Sequence, residues 1–208
     1  MYDPDPIRVF LIGSRAFGCA VRDLIIRRSG YALSAIAAPE GDPLVASSVV
    51  PDAYTGPLTP EAVPAGTDLI VAAHNQRFIP PGMLGAARLG GISYHPSLLP
   101  LHRGRDAIHW TVRDHDRVAG GTVYWLDDLV DGGPIAAQES CLVRPNDTAS
   151  TLWRRELFPM GLRLIDQVLG DLLAGRVVKR PQDHDLATWE PALRDVPPLK
   201  SAICGDHG

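Results

Sequence analysis

A chain of 208 residues, 45% hydrophobic and 21% charged, is long enough to bury a sizeable core and short for two full domains. Its formal net charge of −4, with no dense lysine and arginine block, argues against nucleic acid as a partner. The three cysteines, Cys19, Cys141 and Cys204, are odd in number and lack metal-ligand spacing, so free thiols in a reducing compartment are expected, with neither disulfides nor a metal. No apolar run approaches the roughly 20 residues of a bilayer span. The start, MYDPDPIRVF, is acidic where a secretion signal is basic, so a cytoplasmic protein without a membrane partner is expected.

In chain order, Arg8 to Ile12 is a β-branched and aromatic run that reads as a buried strand. A turn over Gly13 to Gly18 follows, and then Phe17, Ala20, Val21, Leu24 and Ile25 recur at helical spacing up to Ser29-Gly30. Ala32 to Ala37 supplies a second strand. Strand, helix and strand in about 30 residues form a right-handed βαβ unit and predict a parallel sheet. The turn GSRAFG has Gly13 and Gly18 but not the middle glycine of a dinucleotide fingerprint, and Glu40 alone is placed to serve a ribose, so dinucleotide binding is disfavoured.

Glu40 to Ala65 is rich in proline and small residues and reads as a surface loop with one short element. Thr67 to Ala73 and Gly91 to His95 are the next strands, separated by a short helix over Pro81 to Leu89. His74, Asn75, Gln76 and Arg77 follow the first of these strands and His95 ends the second, where open α/β sheets place their ligand crevice. Asp106 is placed to cap a helix over Ala107 to Arg113. Thr122 to Trp125 reads as a strand that empties into LDDLVDGGP, and Pro134 to Ser140 as another. Asp147 or Thr148 caps a long helix with Trp153 and Phe158 in the core, a kink at Pro159 and an end at Gly175. The chain is thus expected to be one domain over residues 1–208, with a proline-rich tail from about residue 191.

His95 at a strand end, with Pro96 turning the chain out of the sheet, projects into the crevice. Asp127, Asp128 and Asp131 end another strand, and a histidine facing a carboxylate is the minimum needed to move protons at neutral pH. Each feature also has a plain reading, a core histidine satisfied by one hydrogen bond and acids that make a turn before Gly132-Gly133. His102, His109 and His115 have no matching partner in the sequence and read as surface or packing residues.

The stretch YHPSLLPLHRG, followed after a helix by LDDLVDGGPI, resembles the formyltransferase family that uses 10-formyltetrahydrofolate, which includes glycinamide ribonucleotide and methionyl-tRNA formyltransferases. LIGSRAFG, QRFIP, YHPSLLPLHRGRDAIHWT and LVRPNDTASTLWRRELFPMG extend the similarity over about residues 7 to 190, most closely to the amino-terminal hydrolase domain of 10-formyltetrahydrofolate dehydrogenase. The resemblance implies an α/β fold with a Rossmann-like, mostly parallel twisted sheet and helices on both faces. It implies 10-formyltetrahydrofolate as formyl donor, with the family's histidine and aspartate at His95 and Asp131. The pterin pocket, made largely of main chain, maps to Arg77, Phe78, Ile79 and Pro80 and to Leu126, Asp127, Asp128, Leu129 and Val130. Asn75 and Gln76 fall at its mouth, and Arg103 falls where relatives place a positive residue that orients an anionic acceptor.

One departure matters. The transferases carry an asparagine two residues before the histidine, whose amide donates to the developing oxyanion, and this chain has Ser93. Losing one such donor typically costs about 100- to 1,000-fold in turnover. The resemblance implies transfer of the formyl group to a small amine. Hydrolysis of the same donor is the alternative, because the dehydrogenase's hydrolase domain also lacks that asparagine, and folate binding with little catalysis is the third reading. Methionyl-tRNA as acceptor is disfavoured by the acidic charge and by the lack of room for a basic carboxyl-terminal domain. Small-molecule partners are expected, and a homodimer is left open.

Overall fold

A computed structural model describes residues 5–46 and 53–193; most of the expected tail, Cys204 and part of the long loop lie outside them. The core is a seven-stranded sheet in the order β3-β2-β1-β4-β5-β6-β7. Its strands are β1 (Ile7–Gly13), β2 (Tyr31–Ala37), β3 (Ala53–Tyr54), β4 (Leu69–Ala73), β5 (Gly91–His95), β6 (Val118–Trp125) and β7 (Ile135–Leu142). The first five run parallel, whereas β6 is antiparallel to both β5 and β7. Helices α1 (Arg15–Arg27), α2 (Pro43–Ala46), α3 (Pro81–Gly85), α4 (Ala107–Arg113), α5 (Ala149–Leu152) and α6 (Phe158–Leu173) cover it. This is the Rossmann-like sheet with helices on both faces that the sequence implied.

The period of two along the strands divides the core. Val9 and Leu11 of β1 and Leu69 and Val71 of β4 face α1 and α6, where Phe17, Val21, Leu164 and Val168 complete one cluster. Phe10, Ile12 and Ile70 face the other way, against Ile79 and Met83. Residues such as Leu11 and Ile70 are fully buried, each transfer contributing about 1.5–3 kcal/mol. β1 and β4 are apolar on both faces because both are covered.

Two local expectations need correction. The helix begins at Arg15 rather than after Gly18, since Gly13 and Gly18 are packing residues: a Cβ on Gly13 would meet the Ala73 carbonyl oxygen at 2.5 Å, and one on Gly18 would meet Leu44 at 3.1 Å. Asp106 is no side-chain cap for α4; it sits in the left-handed region at φ 61 and its carboxylate accepts from the Leu193 N–H at 3.0 Å. Pro159, where a kink is expected, lies at the join of two helical segments. A π-helical turn over Trp153–Leu157 precedes it and carries the chain from α5 into α6, where the missing proline N–H falls in the first turn. Thr148 caps α5, reciprocally with Thr151.

Candidate active site

The site grows from the end of β5. Ser93 and His95 point to one face of the strand, with Ile92 and Tyr94 in the core on the other. In the antiparallel ladder Ser93 lies opposite Tyr124 and His95 opposite Thr122, so all four share a face. The loop after His95 is stitched to the sheet by side chains. The Thr122 hydroxyl donates to the Ser97 carbonyl at 2.7 Å and accepts from the Leu99 N–H at 3.2 Å, and Ser97 Oγ donates to the Leu101 carbonyl at 2.7 Å. Gln138 of β7 donates to the Leu99 carbonyl at 2.9 Å. The HPSLLP segment is therefore a rigid collar rather than a mobile loop.

That collar returns His102 beneath the catalytic candidate. His95 Nε2 lies 2.7 Å from the His102 carbonyl oxygen, which only accepts, so Nε2 carries the proton. Nδ1 faces Asp131 Oδ2 at 3.6 Å, beyond hydrogen-bond length. Both side chains are largely shielded, 10% and 13% exposed, so the contact is only weakly screened by water.

Asp131 reaches this position from an unexpected direction. Because β6 runs antiparallel, Trp125 sits beside Ile92 at the start of β5, and the loop beyond it must double back. Asp131 adopts φ 50, and Gly133 passes so near Trp125 that a Cβ there would stand 1.8 Å from its carbonyl oxygen. Only glycine fits. Once placed, the carboxylate accepts from the Tyr124 hydroxyl at 2.6 Å on Oδ1 and from the Gly104 N–H at 2.7 Å on Oδ2. Burial, followed by the Asp131 charge, pushes the Tyr124 phenol well above its ordinary pKa, so it stays a donor. Ser93 lies across the ladder from the same tyrosine.

A third support comes from far along the chain. Gln182 is buried and donates to the main-chain oxygens of Asp131 at 2.8 Å and Gly133 at 2.7 Å. Its own oxygen accepts from Arg103 Nη2 at 2.6 Å and Nε at 3.2 Å. Arg103, expected to orient an anionic acceptor, is instead 4% exposed and engaged by Gln182 and His184, because its guanidinium ties the His95 collar to the Asp131 loop. His102 is likewise more than a surface residue. Its N–H donates to Thr188 Oγ1 at 2.7 Å, and its ring lies between Asp116 and Glu190 at 2.8 and 3.0 Å.

The expected pterin segments follow β4 and β6, the two strands that flank β5. Arg77 Nη1 donates to the Gly56 carbonyl at 3.1 Å, while its buried Nε and Nη2 have no hydrogen-bond partner among the described residues; burial lowers its pKa. Asn75 clasps the Arg77 main chain from both sides, its amide donating to the carbonyl and its oxygen accepting from the N–H. Ile79 is buried in the second core cluster, Pro80 is half-buried and Phe78 is 64% exposed. Leu126 packs on that cluster, Asp127 folds back to accept from the Leu129 N–H at 2.9 Å, and Asp128, Leu129 and Val130 are exposed. Gln76 accepts from Arg105 at 2.9 Å on the surface.

Sequence reasoning missed Tyr124, Gln182 and the main chain of His102 and Gly104. Tyr124 had a weak signal, since Thr122 and Tyr124 alternate on the face opposite Val123 and Trp125. Gln182 had none.

Fold and site together define a doubly wound α/β protein with a histidine–carboxylate pair at the end of a central strand. The chain belongs to the formyl transferase family, whose model its residues 52–167 match. It is 43% identical over 125 residues to cytosolic 10-formyltetrahydrofolate dehydrogenase of Mus musculus, a match covering 60% of this chain and 14% of that protein. The matched region is thus a small part of those curated relatives. Glycinamide ribonucleotide transformylase 1 from Symbiobacterium toebii shares the fold with a TM-score of 0.72 at 24% identity, over 87% of this chain and 96% of that one. HypX from Aquifex aeolicus, solved with tetrahydrofolic acid, superposes with a TM-score of 0.68 at 20% identity over 88% of this chain and 29% of its own.

Proposed function

We propose that this protein transfers the formyl group of 10-formyltetrahydrofolate to a small amine. The single observation carrying the reading is the juxtaposition of His95 and Asp131, with a third residue on each side of the pair holding it. In the transfer the amine nitrogen bonds to the formyl carbon, an oxyanion develops, and the bond to the folate nitrogen breaks as that nitrogen takes a proton. A proton on Nδ1 makes His95 a cation that stabilises the oxyanion or delivers the proton to the leaving nitrogen. Asp131 accepts the proton that the amine sheds. Burial and fixed donors supply preorganisation, because neither group has to find its place during the reaction. The unpaired Nε and Nη2 of Arg77 suit an acceptor atom of the folate, beside the main chain of Phe78 to Pro80.

Hydrolysis is the second reading, favoured by one observation: Ser93 stands where the transferases carry the asparagine that donates to the oxyanion. Water then takes the place of the amine. The proposed setting is cytoplasmic, with small molecules rather than nucleic acid as partners and a homodimer as the assembly to test by light scattering; among the described residues, no helix is long and apolar enough to cross a membrane.

The deciding experiment incubates the protein with 10-formyltetrahydrofolate and follows tetrahydrofolate release with and without a panel of small amines. Acceleration by an amine, with a formylated product, is the expected result. Release at the same rate in water alone supports hydrolysis, and binding without turnover overturns both.

A further inference from the structure

We infer that Tyr124 is the positioning residue that aims the Asp131 carboxylate at His95. The inference rests on the functional reading above and deepens it.

Asp131 sits in the left-handed region at the tip of a loop that doubles back, so its backbone alone does not dictate where the carboxylate points. Two oxygens must be fixed. Oδ2, which faces His95, receives a main-chain donor from Gly104. Oδ1 receives the Tyr124 hydroxyl at 2.6 Å, the usual length for a charge-assisted bond from a hydroxyl to a carboxylate. These are the side-chain and main-chain anchors of one carboxylate, and Tyr124 is the only one of the two that substitution removes without altering the loop backbone.

The phenol could in principle rotate about its ring bond and donate elsewhere. Tyr124 is 4% exposed, so water does not compete with Asp131 for its proton. The link therefore runs from β6 to the loop and back toward β5: Tyr124 to Asp131, which faces His95. Ser93 stands opposite Tyr124 in the ladder, on the same face of the sheet.

The test compares wild type and Tyr124→Phe in release of tetrahydrofolate from 10-formyltetrahydrofolate, with thermal melts as a check on folding. Tyr124→Phe is expected to lower kcat by about tenfold or more, the equivalent of one hydrogen bond to a charged group, with KM for the folate within about twofold. A Tyr124→Phe protein that melts earlier yet keeps full kcat would show a merely structural hydroxyl and overturn the inference. Should Tyr124→Phe fail to fold, Tyr124→His, which keeps a ring and a donor, decides by whether its loss is confined to kcat. A wild type that releases no tetrahydrofolate under any condition overturns the functional reading and this role with it, whereas an active wild type beside an unimpaired Tyr124→Phe overturns this role alone.

Discussion

Two turns lie at the carboxyl ends of central strands, one after β1 and one after β5, and they treat their polar groups differently. After β1 the first amide of α1 and the Ser14 hydroxyl are taken internally. The Asp42 carboxylate accepts from the Arg15 N–H with both oxygens, at 3.0 and 3.1 Å, and from the Leu44 N–H at 2.9 Å, while Ser14 Oγ donates to the His74 carbonyl at 2.6 Å. The first amide of α1, which in nucleotide-binding relatives of this architecture meets a phosphate, is already taken by an internal anion. After β5 the His95–Asp131 contact is left at 3.6 Å, with every other atom of the pair held. The difference teaches where chemistry is available: a turn whose donors and acceptors satisfy each other has nothing to offer a substrate, and a buried pair held just out of bonding range does.

The sharpest way to break the contrast is to remove a member of the pair. His95→Ala or Asp131→Ala is expected to reduce kcat by about 1,000-fold or more while the far-ultraviolet circular dichroism is retained. Activity within tenfold of wild type in either variant would count against the assignment. Gln182→Ala comes next. It strips Arg103 of its acceptor and the Asp131 loop of two donors, so a loss of about 2–3 kcal/mol in urea unfolding and a fall in kcat of about tenfold are expected together.

Asp42→Ala tests the closed turn. Loss of its acceptor from the start of α1 should cost about 1 kcal/mol in thermal unfolding and leave kcat unchanged, and a large kcat effect would make that turn part of the site. The smallest effect expected is from His74. Burial first, and then the Arg15 charge, lowers its pKa below the ordinary value, so the unfolded ring binds a proton more readily than the folded one. Stability from this group is complete above about pH 6.5 and is lost as pH falls below it. The drop in urea midpoint between pH 7.5 and pH 5.5 should therefore be smaller in His74→Asn, which tolerates the φ of 55 at this position, than in wild type.

Much of the fold was readable because the apolar periods were strong. β5 and α4 have the bounds their patterns predict, and β1, β2 and β4 differ by one or two residues. β6 starts four residues before the Thr122 where its apolar pattern begins, and there the reason is chemical. Gly120 and Gly121 carry no apolar signal, but they are strand residues kept small by neighbours: a Cβ on Gly120 would meet the Glu139 carbonyl oxygen at 2.4 Å, and one on Gly121 the Tyr94 hydroxyl at 2.3 Å. The antiparallel course of β6 was not legible either, since both directions give the same alternation. At the site, His95 and Asp131 stood out by residue type and position. Tyr124 was hidden by the unknown strand direction, and Gln182 by a separation of 51 residues from Asp131 along the chain.

The bond from Gln182 to the Asp131 loop has a consequence for truncation. Residues 182 to 190 buttress the reactive pair, Gln182 through the Asp131 and Gly133 carbonyls and Thr188 and Glu190 through His102. The brace therefore lies well past residue 167, where the family's match ends. A chain shortened to that point would keep the histidine and the aspartate and lose what steadies them.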